Sequence, residues 1–594
     1  MEQLRHNGVL VPSRYEGNDL VIKVKGAEIK LTPEQGEMAL AWAKKVGTPY
    51  VEDRVFAENF HRDFSEKLGT RVKPGDVDYT KVISLVEEER RWKADLSREE
   101  RKRLASGRKA QREANKERFG FAWVDGVQVE VGNYAVEPSS IFMGRGKHPL
   151  RGRWKEGPQE QDVELNLSRD ALRPLGSWKS IVWEPDAMWI ARWRDKLSGK
   201  MKYVGFSESS ILKQKKEIEK FDKAMELQRN LQQVQRHIWK GLNAENTRRR
   251  KIATICFLID KLKIRVGDEK DPDEADTVGA STLRPEHIRS NGDGTVTFNF
   301  LGKDSVPHVF TVKLPVDVIR NLNEFSDNAK STLFDGIGSK HISGFLDEVV
   351  NGLSSKVFRT FYASKTVRVK LERTHVNTND PEYRKKHVAT MANLEAAKIC
   401  NHRRTIPKTW KASLDKKRMR RKIVQNRAKE AQTKLKMKTS EREERYEERM
   451  RKQEEKLKMI KEKLDTTLTQ LAQRKQQNKP VNALEKRIRL QQSAVKRQKQ
   501  RLRELKAKHR EQMKKSKSKL ENRRLRDEAA IDKLSLRIKA QQRTRDYNLA
   551  TSLKSYIDPR IYYEWGREVD YDWKRYYPKA LQRKFSWIEK EPTS

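Results

Sequence analysis

Cysteine is nearly missing from this chain. Its 594 residues include only Cys256 and Cys400, too few for a disulfide framework or a four-cysteine zinc site, which points to a reducing, intracellular setting. Long apolar runs are missing too. None approaches the roughly 18 residues that span a bilayer, and Met1-Glu-Gln-Leu-Arg-His-Asn-Gly8 lacks the apolar stretch of a secretory signal, so no membrane partner is expected. There is no G-x-x-x-x-G-K-[ST], which disfavours a P-loop ATPase. There is no H-E-x-x-H and no paired C-x-x-C, which leaves a zinc site without support. No acidic cluster stands out as a two-metal centre, and no cofactor is expected. Negative charge is in short supply: 84 Asp and Glu face 130 Lys and Arg, a formal net charge of +46. A surplus of this size predicts a polyanionic partner, most simply nucleic acid. Hydrophobic residues make up 35% of the chain. That is too little for one globule of this size, but enough for compact domains plus a long solvated segment.

The solvated segment is plain. Lys411 to Asp546 contains no glycine, one proline (Pro480) and one aromatic residue (Tyr446), with 47 Lys and Arg against 19 Asp and Glu. Such a composition favours helix. Leu457, Ile460, Leu464, Leu468 and Leu471 recur at spacings of three and four; Leu484, Ile488, Val495, Leu502 and Leu505 recur at three, four and seven. Gln477-Asn-Lys-Pro-Val481 interrupts the two series, since proline breaks a helix. The pattern predicts two helices of about 65 residues, each roughly 100 Å long, folded back as an antiparallel coiled coil.

The remainder divides by pattern. Residues 1–209 hold eight of the 13 tryptophans, and Met188-Trp-Ile-Ala-Arg-Trp193 alternates as a strand with Trp189 and Trp193 in the core. Residues 210–410 mix helices with one hairpin. Thr295–Phe300 follows the turn Asn291-Gly-Asp-Gly294 and leads through Gly302-Lys-Asp-Ser305 into Val309–Leu314. Residues 547–594 are aromatic-rich again and return to a globular core. The expected fold is therefore α+β and multidomain, with borders at 1–209, 210–410, 411–546 and 547–594.

Metal-free chemistry on a phosphodiester needs a nucleophile, donors around the non-bridging oxygens and an acid for the leaving oxygen. Five short segments offer candidates: Arg265 in K-I-R-V-G-D-E-K, Lys303 at the hairpin tip, Arg359 in K-V-F-R-T-F behind an N-cap at Ser354 or Ser355, His402 in C-N-H-R-R, and Tyr556 in S-L-K-S-Y-I-D-P-R. Singly, each is more simply a surface charge, a capping histidine or a core tyrosine.

Taken in order, with a basic coiled coil between the last two, the five segments resemble the eukaryotic-like type IB DNA topoisomerases. F-L-G-K-D-S and A-D-T-V-G (Ala275–Gly279) match the family patterns in full. R-V-G-D-E-K stands for R-A-G-N-E-K, K-V-F-R-T-F-Y-A-S for K-V-F-R-T-Y-N-A-S, C-N-H-R-R for C-N-H-Q-R, and Phe142-Met-Gly-Arg-Gly-Lys-His-Pro149 for F-R-G-R-G-N-H-P. The resemblance implies an N-terminal part that closes with a mostly helical catalytic core as a clamp on double-stranded DNA. A coiled-coil linker and a small C-terminal domain carrying the nucleophile would complete the architecture. It implies an isomerase, acting as a monomer, that relaxes positive and negative supercoils without ATP or metal through a 3′-phosphotyrosyl intermediate. Arg265, Lys303, Arg359, His402 and Tyr556 would be catalytic; Arg145, Lys202, Tyr203, Lys220, Thr277, Asp304, Ser354, Ser355 and Lys356 would line the DNA. Opposite charge suggests clamp lips meeting between Lys147–Arg151 and Asp268–Asp276. Ser555 replaces the asparagine before the nucleophile, and Met143 the first arginine of R-G-R. A start close to the folded core and a long arm suggest an archaeal member in the cytoplasm or nucleoid, the alternative being a nuclear one. The competing readings are a tyrosine recombinase or integrase, and a non-enzymatic coiled-coil nucleic-acid-binding protein.

Overall fold

A computed structural model describes residues 1–17, 19–144, 146–268, 276–477 and 479–590, apart from the side chain of Asp304. They form two compact units. One holds Met1–Thr378, Ala392–Arg404 and Tyr547–Ser594; the other holds Asn379–Met391 and Thr405–Asp546. The fold is α+β, as the sequence pattern predicts. No helix among the described residues is long and apolar enough to cross a membrane.

Among the described residues, the apolar clusters of the first unit include three. One lies under short strands: Leu4–His6, Phe121–Val124 and Val127–Glu130 form an antiparallel sheet, and a four-stranded mixed sheet runs Ser180–Val182, Val163–Asn166, Trp189–Arg194, Met201–Gly205, its first two strands parallel. Trp189 and Trp193 are both buried, as their alternation predicts. A second cluster joins the strands Val21–Val24 and Ala27–Lys30 to the helices Pro33–Ala43, Arg54–Leu68 and Thr80–Asp95, with Trp42 stacked on Phe60 at 4.6 Å. The third and largest gathers the helices Ile211–Leu242, Thr247–Leu262, Val316–Asp327, Ser339–Asp347 and Ser355–Glu372 around the hairpin Thr295–Gly302/Val306–Lys313. The hairpin is longer than its alternation suggests: pairing continues to Gly302↔Val306, leaving Lys303–Ser305 as a tight turn with Ser305 at φ +57°.

Backbone approach joins the motif segments. Gly267 sits at φ +83° with Gly279 against it; a Cβ at Gly267 would lie 2.8 Å from Gly279 Cα, and one at Gly279 2.6 Å from Val266 O. With neither side chain in the way, Ala280 N–H donates to Arg265 O (2.8 Å) and Ser281 N–H to Val266 O (2.7 Å), while Val278 N–H reaches Leu301 O on the hairpin (2.6 Å). The glycines of R-V-G and T-V-G therefore tie the backbone of Arg265 to the strand that ends at Lys303.

The C-terminal residues of this unit dock on Ile211–Leu242. Lys584, almost fully buried, pairs with Glu208 (2.7 Å) and Glu217 (3.3 Å), and Phe585 meets Phe221 edge-on. Arg560 pairs with Asp222 (2.8 Å) and with Asp558.

The second unit contains the arm. Its helices are Trp410–Gln476 and Asn482–Arg543, 67 and 62 residues, broken where Pro480 predicts. The seam departs from the leucine series in one place: Leu468 is 40% exposed, and buried Thr467 takes the inward position. A 3.6-residue helix drifts relative to a strict heptad, so the inward position moves along the series. Polar layers punctuate the seam. Buried Gln498 donates to both Gln453 O and Oε1 (2.9 Å each), and Tyr446 stacks on His509 at 3.7 Å.

Two glycines separate close packing from open space. Gly279→Ala should cost about 1–3 kcal/mol of stability, since an added methyl must displace backbone. Gly344, inside Ser339–Asp347 with nothing within 4 Å of its would-be Cβ, should instead gain about 0.5–1 kcal/mol as alanine. Denaturant midpoints of the two variants check this: they should move in opposite directions.

Candidate nucleic-acid cleavage site

Four of the five candidate catalytic residues come together in one cavity of about 1400 Å³ within the first unit. Arg265, Lys303, Arg359 and Tyr556 line it, with Lys220, Thr277, Ser354, Ser355 and Lys356. The fifth, His402, is buried against Arg359. The N-terminal part contributes Phe142, Met143, Gly144 and His148 to the same wall.

Each side chain is placed by a local rule. Arg359 stands in the second turn of Ser355–Glu372, where it is almost fully buried. Ser354 occupies the N-cap position of that helix, but its side chain makes no capping hydrogen bond, unlike the expectation; it lines the cavity instead. Arg359 donates from Nη2 to Cys400 O (2.8 Å) and to His402 Nε2 (3.1 Å), and from Nη1 to Lys263 O. Its Nε is buried without a hydrogen-bond partner among the described residues. Lys263 offers that carbonyl because it closes Thr247–Leu262 in the left-handed region, at φ +56°. Its ammonium lies 3.8 Å from the Tyr362 ring, and Tyr362 Oη donates to Asp260 (2.5 Å).

C-N-H reads as a helix stop. Glu382–Ile399 ends with Asn401 in the left-handed region (φ +49°), where asparagine substitutes for glycine. Asn401 N–H donates to Lys398 O (2.9 Å) and His402 N–H to Ala397 O (2.8 Å), the paired bonds of a Schellman cap. The cap turns the imidazole back toward Arg359. Asn401 Nδ2 also reaches Pro307 O on the hairpin (3.2 Å).

Tyr556 follows the helix Leu549–Ser555. Its ring lies 5.0 Å from both the His402 ring and the Arg359 guanidinium, and Arg265 lines the same cavity. Burial pushes the phenol up, but Arg359 and Arg265 together outweigh it and hold Tyr556 below the usual tyrosine value. Burial, then the same two arginines, depresses His402 to about 3 and His308, behind the hairpin tip, to about 4. His402 is therefore neutral. Because Arg359 can only donate to Nε2, the proton sits on Nδ1 and is given to Ser552 Oγ (2.7 Å). The sequence reading missed Ser552 and Ser364, whose hydroxyl bonds the Tyr556 carbonyl and the Asp558 amide; a serine four residues before the nucleophile was the only available signal for the former.

Other expectations fare differently. Lys220 lines the cavity but pairs with Glu217 (2.6 Å), and burial lowers its affinity for a proton. Lys202 and Tyr203 lie on the strand Met201–Gly205 and do not line this cavity. Arg145 and the Asp304 side chain lie outside the described residues. Of the suggested charged lips, residues 269–275 lie outside the described residues. Arg151 pairs with Asp53 (2.9 Å), Asp276 with Arg284 (2.7 Å), and Asp268 accepts from Ser339 N–H (3.0 Å). The N-terminal loop approaches the hairpin tip, where a Cβ on Gly146 would stand 3.0 Å from Ser305 Cβ.

Comparison with known proteins follows this geometry. Residues 1–206 match a family model described as eukaryotic DNA topoisomerase I, DNA binding fragment; residues 209–435 match eukaryotic DNA topoisomerase I, catalytic core; residues 528–593 match a C-terminal topoisomerase domain. The chain is 30% identical to DNA topoisomerase 1 beta of Arabidopsis thaliana over 595 residues, 98% of this chain and 58% of that protein. It is 32% identical to DNA topoisomerase 1 alpha of the same plant (99% and 58%), and 30% identical to DNA topoisomerase 1 of Homo sapiens (69% and 56%). The chain thus spans a little over half the length of these relatives. All three are eukaryotic, and the suggestion of an archaeal member is not supported.

The electrostatics can be read without any substrate. In an absorbance titration at 295 nm, subtracting Tyr556→Phe from wild type should isolate an ionisation step below 10.0. Arg265→Gln removes a positive charge that favours tyrosinate, so the step should move to higher pH. A step that stays in place would remove Arg265 from the environment of the phenol.

Proposed function

This chain belongs to the eukaryotic DNA topoisomerase I family, and from that premise we propose that it relaxes DNA supercoils by transient cleavage of one strand, with Tyr556 as nucleophile. The observation that carries the reading is the gathering of Arg265, Lys303 and Tyr556 in one cavity with Arg359, whose guanidinium lies 5.0 Å from the Tyr556 ring. The partner is duplex DNA, bound by a monomer, and the protein works at the chromosome inside the cell.

In the proposed reaction Tyr556 Oη attacks a backbone phosphorus. The Oη–P bond forms, the P–O5′ bond breaks, and the phenolic proton passes to water. Lys303 Nζ gives a proton to the departing 5′ oxygen and is recharged from solvent. Arg265 and Arg359 bind the non-bridging oxygens as negative charge builds; guanidinium suits this because it stays charged and presents several donors in one plane. The buried, unpartnered Nε–H of Arg359 is a donor left over for such an oxygen. His402 enters later. In the DNA-free site its Nε2 accepts from Arg359, so it cannot donate there. A bound phosphate brings negative charge that offsets the arginines and favours a proton on Nε2, so His402 joins the phosphoryl oxygens only with DNA in place. The free 5′ end turns under torsion and then attacks the phosphotyrosine, restoring the strand. The bond energy is kept throughout, so no nucleotide is consumed.

Two measurements test the reading. Tyr556→Phe should bind DNA about as well as wild type, form no covalent adduct and relax plasmid at less than roughly one thousandth of the wild-type rate. Relaxation above that level would move the nucleophile elsewhere. Lys303→Ala should slow cleavage of ordinary DNA strongly, yet recover much of the rate on a 5′-bridging phosphorothiolate, whose leaving group needs no proton. Equal losses on both substrates would make Lys303 a groove contact and not the acid.

A further inference from the structure

We propose that Ser364 is a positioning residue for the nucleophile, holding the main chain around Tyr556 to the helix that carries Arg359. The inference rests on the reading of Tyr556 above and deepens it.

Ser364 Oγ makes two bonds to one stretch of chain. It donates to Tyr556 O (3.2 Å) and accepts from Asp558 N–H (2.9 Å). The three residues bracketed by these bonds are the nucleophile, Ile557 and Asp558. Ser364 lies five residues after Arg359 on Ser355–Glu372, about 7.5 Å further along the axis. One rigid element therefore touches the nucleophile segment twice: Arg359 through the Tyr556 ring, at 5.0 Å, and Ser364 through the Tyr556 carbonyl and the Asp558 amide just after it.

Tyr556 needs such an anchor. Its residue closes Leu549–Ser555 outside helical geometry, at φ −127° and ψ −25°, and both Tyr556 N–H and Ile557 N–H turn back to the same acceptor, Ser552 O (3.0 and 3.1 Å). The next helix starts at Pro559 behind the N-cap Asp558. The nucleophile thus stands on a corner between two short helices, where no regular ladder fixes its carbonyl. The Tyr556 carbonyl and the Asp558 amide are two further polar groups of that corner, and a single hydroxyl bonds both. Asp558 is further held by Arg560, which also pairs with Asp222, so the outer side of the corner is fixed to Ile211–Leu242 and the inner side to Ser355–Glu372. Removing the hydroxyl leaves the outer anchor and the apolar packing of Ile557 and Ile561, both buried. The corner stays folded but loses its register to Arg359. In-line attack depends on that register, and a misplacement of about 1 Å can cost on the order of a hundredfold in rate.

The test uses the full chain carrying Ser364→Thr, Ser364→Val or Ser364→Ala. Thr and Val have nearly the same shape, and only Thr keeps the hydroxyl; Ala removes it without adding bulk. Cleavage is measured in single turnover on a DNA substrate whose short 3′ fragment dissociates, so that the covalent complex accumulates. Non-covalent affinity for the same DNA is measured with each substitution in the Tyr556→Phe background. The expected result is that Thr cleaves within about threefold of wild type, while Val and Ala are slower by about ten- to a hundredfold. Affinity should change by less than about twofold in all three, and thermal midpoints of Thr and Val should agree. Val or Ala cleaving as fast as Thr overturns the inference. A loss of rate matched by an equal loss of affinity overturns it as well, because the hydroxyl would then serve binding. Failure of the underlying reading looks different: wild type itself would form no adduct, or would form one that survives Tyr556→Phe.

Discussion

The Arg359 guanidinium is the point on which the site turns. Three separate segments meet on it: the left-handed end of Thr247–Leu262 through Lys263 O, the capped end of Glu382–Ile399 through Cys400 O and His402 Nε2, and the nucleophile through the ring of Tyr556. Each of these segments ends a helix, so each has carbonyls that no helical partner satisfies. A buried cation with several donors is suited to collecting such carbonyls. The cation in turn needs them, since an almost fully buried charge without hydrogen-bond partners is costly. The arrangement serves folding and chemistry at once: the bonds that make Arg359 tolerable inside the protein are those that fix its orientation toward a phosphate.

Burial and charge oppose each other at Tyr556. A phenol removed from water resists ionising, yet the two arginines hold it below the usual tyrosine range. At His402 and His308 burial and the same two arginines act together, lower both and keep them neutral. The positive charge thus shifts all three groups downward: it favours tyrosinate at the nucleophile and leaves His402 as a neutral imidazole that a bound phosphate can recruit.

The route of the chain makes the C-terminal residues part of this site. The first unit is left at Arg404 and re-entered at Tyr547, and the two ends are adjacent: Arg403 pairs with Tyr547 as a bridge, and Asn548 N–H donates to His402 O at 2.7 Å. The chain therefore leaves this unit and returns to it beside His402, and the 47 Lys and Arg of residues 411–546 fall between those two points in the sequence. The arm's polar layers at Gln498 and Tyr446–His509 give up some apolar burial and distinguish one alignment of the two helices from its neighbours.

The sequence alone determined the arm, its break at Pro480, the strand holding Trp189 and Trp193, and the hairpin that ends at Lys303, because each rests on a periodicity or a residue with one strong local preference. It also named the five candidate catalytic residues, although only as an ordered set of motifs; nothing local distinguishes Arg265 or Arg359 from the other cations of so basic a chain. What tertiary structure decided is which groups share a cavity and which are occupied elsewhere. Lys202 and Tyr203 fall on a strand outside it, and Arg151 and Asp276 are taken by Asp53 and Arg284. Leu468 turns outward because helical drift accumulates over many residues. Ser364 and Ser552 acquire meaning only from contacts with residues 150 to 194 positions away. A hydroxyl has no preference strong enough to show in sequence. Its partner is chosen by where the fold brings an unsatisfied carbonyl, amide or imidazole within about 3 Å of it.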